Sequence, residues 1–388
     1  MGTRLTDSPL RGTDGPLRGI RVLDVSSLGP GPFCSMLLAD HGADVVCVER
    51  PQRESFDPSM YFSRGKRSIV VDLRAPGGSD VIRRLAGEAD VFLEGYRPGA
   101  MERRGLGPDI LLGDNPRLVY TRLTGYGQTG PYAHRAGHDI NYIATAGVLS
   151  AVGTDTPVPP LNMLGDFASG SFNALLGIVL ALLDRERTGR GQVIDAAMVD
   201  GAALLLTAQL AEFSMGRWAG RGTSVLSGAA PYYGAYQCSD GAWFAVGAIE
   251  QRFYVQMVAA LGLDPAALPD RDDERTWPRL REIFAAAFAV EPRLHWEKKF
   301  ADVDGCGSAV LELDELADDP HLSARGTVLA TDDDGLQAGV APRLSNSTGE
   351  LGAVVDVAGR DTEQVLAENG FSAAEIADLT ARAVVRAG

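Results

Sequence analysis

The order of elements between residues 21 and 51 constrains the fold most. Arg21 to Val25 (RVLDV) reads as a buried strand, followed by the turn Ser-Ser-Leu-Gly-Pro-Gly-Pro and a helix-like run from Phe33 to Ala39. His41-Gly42 ends that run, and Asp44 to Glu49 reads as a second strand closing on Arg50-Pro51. Strand, turn, helix and strand in this order predict parallel strands joined by right-handed crossovers. The alternation continues with a helix from Gly78 to Ala86 and strands at Val91–Tyr96, Leu118–Leu123 and Gln192–Ala196. The expected fold class is α/β, with a large Rossmann-like parallel-sheet domain. The glycine-rich turn is not a dinucleotide fingerprint, because Gly29-Pro30-Gly31-Pro32 departs from G-x-G-x-x-G. Its two prolines also remove amides that could hold a pyrophosphate.

A chain of 388 residues is too long for one ordinary core. The expected division is a mobile leader (1–18), a large α/β domain (19–213), a Gly- and Ser-rich linker (214–229) and a small α+β domain (230–334). Residues 335–388 are expected to return to the large domain and end in an amphipathic helix from Ser372 to Val385. The small domain opens with a predicted hairpin about Ser239-Asp240-Gly241. A formal charge of −15 argues against non-specific nucleic-acid partners and against anionic membranes, though a local basic cluster could still bind an anion. No apolar run is expected to approach the roughly 20 residues of a membrane span. The four cysteines form no CxxC pair, so no zinc site or disulfide framework is signalled, and a reduced cytoplasm is the expected location.

Two small-residue turns each present a titratable group before an apolar run: His138 in Gly-His-Asp and Asp166 in Gly-Asp-Phe. Asp139 is a predicted N-cap for a helix from Ile140 to Val152, and Asp166 for one from Phe167 to Asp184. A base, an acid and two helix ends that favour negative charge suit a substrate developing an oxyanion. The same residues also fit an ordinary cap and a histidine without chemistry. Arg64-Gly65-Lys66-Arg67 reads either as a solvated turn or as a phosphate clamp. Arg50, Arg97 and the Gly125–Gly130 loop, with Gly127 at its centre, follow predicted strands, the end at which open α/β sheets bind ligands.

At this density of motifs the sequence resembles the class III CoA-transferase superfamily and, within it, the α-methylacyl-CoA racemases. The matching stretches include IRVLDVSSLGPGPFCSMLLADHGADVVCVERP, LEGYRPGAMERRGLGP, TGYGQTGP, GHDINYIATAGVL, PPLNMLGDF, GQVIDAAMVDG and VGAIEQRFY. The resemblance implies an interlocked homodimer, a CoA thioester substrate, and neither a metal nor an organic cofactor, CoA being part of the substrate. It places the catalytic His on His138, the Asp on Asp166 and a Glu on Glu250. The CoA-contacting arginines fall on Arg50 and Arg97, with Arg64 and Lys66 beside them, and Gly127, Asp139 and Tyr142 lie in matched binding stretches.

Inverting a carbon next to a thioester requires one group to remove its proton and another to return one to the opposite face. The unperturbed pKa values of His and Asp, about 6.5 and 3.9, leave both mainly deprotonated at neutral pH. Glu250 is the carboxylate implied to favour protonated His138. Amides at the helix start near Asp166 are expected to hold the enolate oxygen. The competing reading is a CoA-transferase in which Asp166 attacks the thioester. Two departures from the family pattern bear on the acyl site: Ala168-Ser169 stand where glycines are usual, with a hydroxyl that could reach substrate, and Gln251-Arg252 follow Glu250.

Overall fold

The computed structural model describes residues 15–26, 29–51, 62–331 and 335–388. Six strands run parallel: β1 (Arg21–Asp24), β2 (Asp44–Glu49), β3 (Arg67–Val71), β4 (Val91–Glu94), β5 (Val119–Thr124) and β6 (Val193–Ala197). Their order is β3-β2-β1-β4-β5-β6, with the short strand Val385–Arg386 added antiparallel to β3. Alternate residues serve two cores. Val22, Val45, Val91 and Val119 face one with Leu38 and Ile178, while Leu23, Val46, Phe92 and Tyr120 face the other with Ile82 and Leu366. That period of two, with both faces covered, is why these strands read as continuous apolar runs. The expected α/β class with a large parallel sheet is what the chain adopts. The strand order reverses between β1 and β4, and the crevice beyond the carboxyl ends of such a pair is where doubly wound sheets take ligands.

The helix Met163–Thr188 packs against β5 and β6 of this sheet. Its first nine residues, Met163–Ser171, wind as a π-helix, and Phe172–Thr188 continue as an α-helix until Gly189 closes it in the left-handed region (φ 71°). Asp166 therefore lies inside the first turns rather than capping them, as the sequence suggested; the N-cap is Asn162. By length and hydropathy (1.6 over 18 residues) this helix is apolar enough to cross a membrane, contrary to the expectation that no run approached that size. In the fold one face packs through Ala174, Ile178, Ala181 and Leu182. The opposite face, Phe172, Leu176, Val179, Leu180 and Leu183, stays exposed.

Both ends of the chain also differ from expectation. Residues 1–14 of the predicted leader lie outside the described residues, but Leu17 already donates its N–H to the His41 carbonyl at 2.9 Å, so residues 15–18 belong to the fold. The C-terminal helix spans only Ala373–Ala381, capped by Ser372 and Glu375. Val384 and Val385 are then buried in the sheet layer, where β-branched residues satisfy both apolar contact and backbone pairing.

The chain divides into two compact units. One comprises residues up to Val148, Pro160–Leu206 and Val340–Gly388; the other comprises Leu149–Pro159 and Thr207–Gly339. The division thus falls at Leu206, between the helices Met198–Leu205 and Thr207–Ser214, and residues 214–229 lie within the second unit. In that unit β7 (Tyr233–Gln237), β8 (Trp243–Gly247) and β9 (Gly307–Val310) form an antiparallel sheet. Its core is aromatic, with Tyr236 stacked on Phe288 at 5.1 Å and Phe244 against Phe300.

Candidate active site

Asp139 joins the two turns that carry the titratable groups. One of its carboxylate oxygens accepts the backbone N–H of Gly165 at 2.6 Å and that of Asp166 at 2.8 Å. The helix Asp139–Thr145 begins at His138, whose own N–H donates to the Asn141 side chain at 3.0 Å. The predicted helix to Val152 stops here because Gly147 turns left-handed (φ 89°), with a separate short helix at Val148–Ala151. Asp139 was read as the cap of its own helix; instead its carboxylate caps the neighbouring one. Gly165 permits this approach, since a Cβ there would lie 2.6 Å from the Asp139 carboxylate.

The Asp166 carboxylate accepts from Asn162 at 3.2 Å and lies beside Gly29 in the turn after β1, where a Cβ would come within 3.4 Å of it. Burial raises the Asp166 pKa above the ordinary carboxylate value; the Asn162 hydrogen bond opposes this, the Asp139 charge adds to it, and the charge of His138 opposes it. Four phenyl rings gather at the same place. Phe33 lies 4.7 Å from Phe167, 5.6 Å from Phe62 and 5.9 Å from Phe172. His138 itself is exposed.

Tyr142 is buried on the Asp139 helix, donates its hydroxyl to the Gly137 carbonyl at 2.5 Å, and packs edge-on against Tyr126. Burial, reinforced by the nearby Asp166 charge, pushes its pKa up to about 12, while Arg97 pulls it down. Arg97 is therefore within electrostatic reach of this group, exposed in the loop after β4. Arg50 is exposed after β2, and Gly127 is buried after β5, where Gln128 donates its N–H to Asp195 at 2.9 Å. The sheet thus brings His138, Asp139, Tyr142, Asp166 and Arg97 to one neighbourhood. Glu250 sits in the second unit, exposed, as the N-cap of the helix Gln251–Ala260.

The basic turn is a correction. Arg64 and Lys66 are only 5% and 4% exposed. Arg64 forms a two-pronged pair with Asp40 at 3.0 and 2.6 Å. Lys66 donates to the Pro32 carbonyl at 2.8 Å and to Ser35 Oγ at 2.6 Å, with Asp24 at 3.6 Å. Their charges are committed to internal carboxylates, so the phosphate-clamp reading of these two residues does not hold. Two further expectations change. The amides of Gly165 and Asp166 are taken by Asp139, which removes them as holders of an enolate oxygen. Ser169 is buried and donates to the Leu164 carbonyl at 2.5 Å, so its hydroxyl is turned into the helix rather than toward a ligand.

Sequence reasoning missed Asn162, Gly29 and the phenyl cluster. Asn162 precedes Asp166 by four residues, the spacing at which helical side chains meet, so that pair had a readable signal. The cluster had none, because Phe33, Phe62 and Phe167 come from three distant segments.

Residues 17–362 match the family model described as CoA-transferase family III. An α-methylacyl-CoA racemase of Homo sapiens is 43% identical over 373 residues, covering 95% of this chain and 97% of its own. The β subunit of a succinyl-CoA–L-malate CoA-transferase from Chloroflexus aurantiacus is 32% identical over 404 residues, covering 95% and 98%. Among solved structures, a CAIB/BAIF family protein from Brucella suis superposes with a TM-score of 0.80 at 25% identity, covering 92% of this chain and 100% of that one. The parallel-sheet fold, the placement of the two turns and these matches agree: the chain belongs to CoA-transferase family III.

Proposed function

We propose that this chain inverts the α-carbon of 2-methyl-branched acyl-CoA thioesters by 1,1-proton transfer through an enolate, with His138 and Asp166 as the acid/base pair. The observation that carries the reading is the Asp139 bridge, which draws the Asp166 turn onto the turn that bears His138. In one direction Asp166 takes the α-proton and protonated His138 returns one to the opposite face; in the other the roles exchange. The pair must hold one proton between them, and the raised pKa of Asp166 narrows its gap to histidine. Glu250 is assigned as the carboxylate that favours protonated histidine. Arg97 and Arg50 are assigned to the CoA phosphates, and the acyl chain to the wall of Phe33, Phe62 and Phe167. CoA enters as part of the substrate, and the scheme calls on no further cofactor.

The family also contains CoA-transferases, and Asp166 as a nucleophile is the second reading. Both roles start from an ionised Asp166, but only the proton carrier must then hold the proton it takes, and a pKa raised by burial and the Asp139 charge suits that role. A homodimer is part of the same proposal. The exposed stripe Phe172, Leu176, Val179, Leu180 and Leu183 is a contiguous apolar face of the kind that marks protein–protein contact. The test is chiral chromatography of the acid released from a single-enantiomer 2-methylacyl-CoA after incubation. Wild type should give both enantiomers and Asp166→Asn one. Optical purity retained by wild type would reject the assignment.

A further inference from the structure

We propose that Asp139 is the positioning residue of the proton-transfer pair, fixing the Asp166 turn through the Gly165 and Asp166 amides and placing a second negative charge beside the Asp166 carboxylate. The inference rests on the proton-transfer reading above and deepens it. Three observations carry it. The Asp139 carboxylate is buried, its residue 6% exposed, and one oxygen accepts both amides. Its other oxygen has no hydrogen-bond partner among the described residues. No cation pairs with it there, so its charge is offset by two backbone dipoles rather than cancelled by a counter-ion. It also follows His138 directly in the chain, so the bonds that hold the Asp166 helix tie it to the segment bearing the histidine.

The chemistry of the pair gives that charge a use. With ordinary pKa values about 2.6 units apart, the form with neutral His and protonated Asp would be about 400-fold rarer than its partner form. Inversion in both directions draws on both forms, so closing the gap keeps each accessible. Several other groups face Asp166. Asn162 on its own helix and His138 at the start of the neighbouring helix favour the charged carboxylate, while Tyr142 on that neighbouring helix interacts with it electrostatically. The loop after β1 presents Gly29, which carries no charge. Besides burial, Asp139 is the charged group among these that favours the proton on Asp166.

The charge can be removed while the shape is kept. Asp139→Ala deletes the acceptor and risks the fold of the turn, but Asp139→Asn leaves one oxygen to accept the same two amides. The experiment is α-proton exchange of a 2-methylacyl-CoA in D₂O as a function of pH, for wild type, Asp139→Asn and Asp166→Asn. Asp139→Asn should move the acid limb of kcat/KM to lower pH by about one unit, the size expected for loss of one close like charge. An acid limb that stays in place while Asp166→Asn is inactive would overturn the role of Asp139 and leave the reaction assignment standing. Exchange by Asp166→Asn at the wild-type rate would instead overturn the acid/base assignment itself.

Discussion

Asp166 and His138 sit in unlike surroundings, and the difference suits the roles assigned to them. Asp166 is half-buried among phenyl rings with a carboxylate neighbour, whereas His138 is exposed at a helix start. Replacing either by Ala should lower α-proton exchange by about a thousandfold with little change in CoA-ester binding, since neither is assigned to hold the CoA. Rapid-quench turnover together with calorimetric binding separates the two effects, and unchanged turnover would remove that residue from the mechanism. Arg97→Ala should raise KM roughly tenfold while kcat changes little, the pattern of lost uniform binding. A fall in kcat alone would contradict a phosphate role. The titratable pair was legible because each member stands in a small-residue turn before an apolar run. Arg64 and Lys66 were misread for a physical reason: three cations in four residues look like a surface cluster, and their partners Asp40 and Asp24 lie far upstream.

The strands of the parallel sheet were legible as elements because each is buried on both faces and written in Val, Ile, Leu and Phe. The π-helical start of Met163–Thr188 was not, since the extra residue per turn follows from packing against neighbours and leaves no periodic signature. One element carries an unusual charge. Glu94, at the end of β4, is fully buried and accepts from the Tyr96 N–H at 2.6 Å and from Arg122 at 3.1 Å, while Arg122 also pairs with Glu102 at 2.9 Å. Burial pushes the Glu94 pKa up to about 7 despite these donors. A carboxyl whose folded pKa lies above its unfolded one binds its proton more tightly in the fold. Its contribution to stability is therefore complete below the unfolded value of about 4.3 and is lost as pH rises toward 7. Unfolding free energies from urea titrations should fall over that window with a slope of up to about 1.4 kcal/mol per pH unit from this group, and Glu94→Gln should flatten the trend. An identical slope in the variant would contradict the assignment.

At the scale of the whole molecule, the second unit has its own aromatic core and carries Glu250 at the start of one of its helices, and the long helix of the first exposes five large apolar side chains along one stripe. A dimer that covers this stripe should be lost on placing a charge within it. Leu180→Asp should shift sedimentation velocity from dimer toward monomer at micromolar concentration, and a wild-type profile that is already monomeric would remove the proposal. The proton-transfer account meets its most direct test in the α-proton itself. A single-enantiomer 2-methylacyl-CoA should be followed by NMR with the protein in D₂O and no other carboxylic acid present. The account predicts loss of the α-proton signal together with loss of optical purity. An inert α-proton, with CoA moving only once a free carboxylate is added, would contradict it and make Asp166 the nucleophile of a transferase.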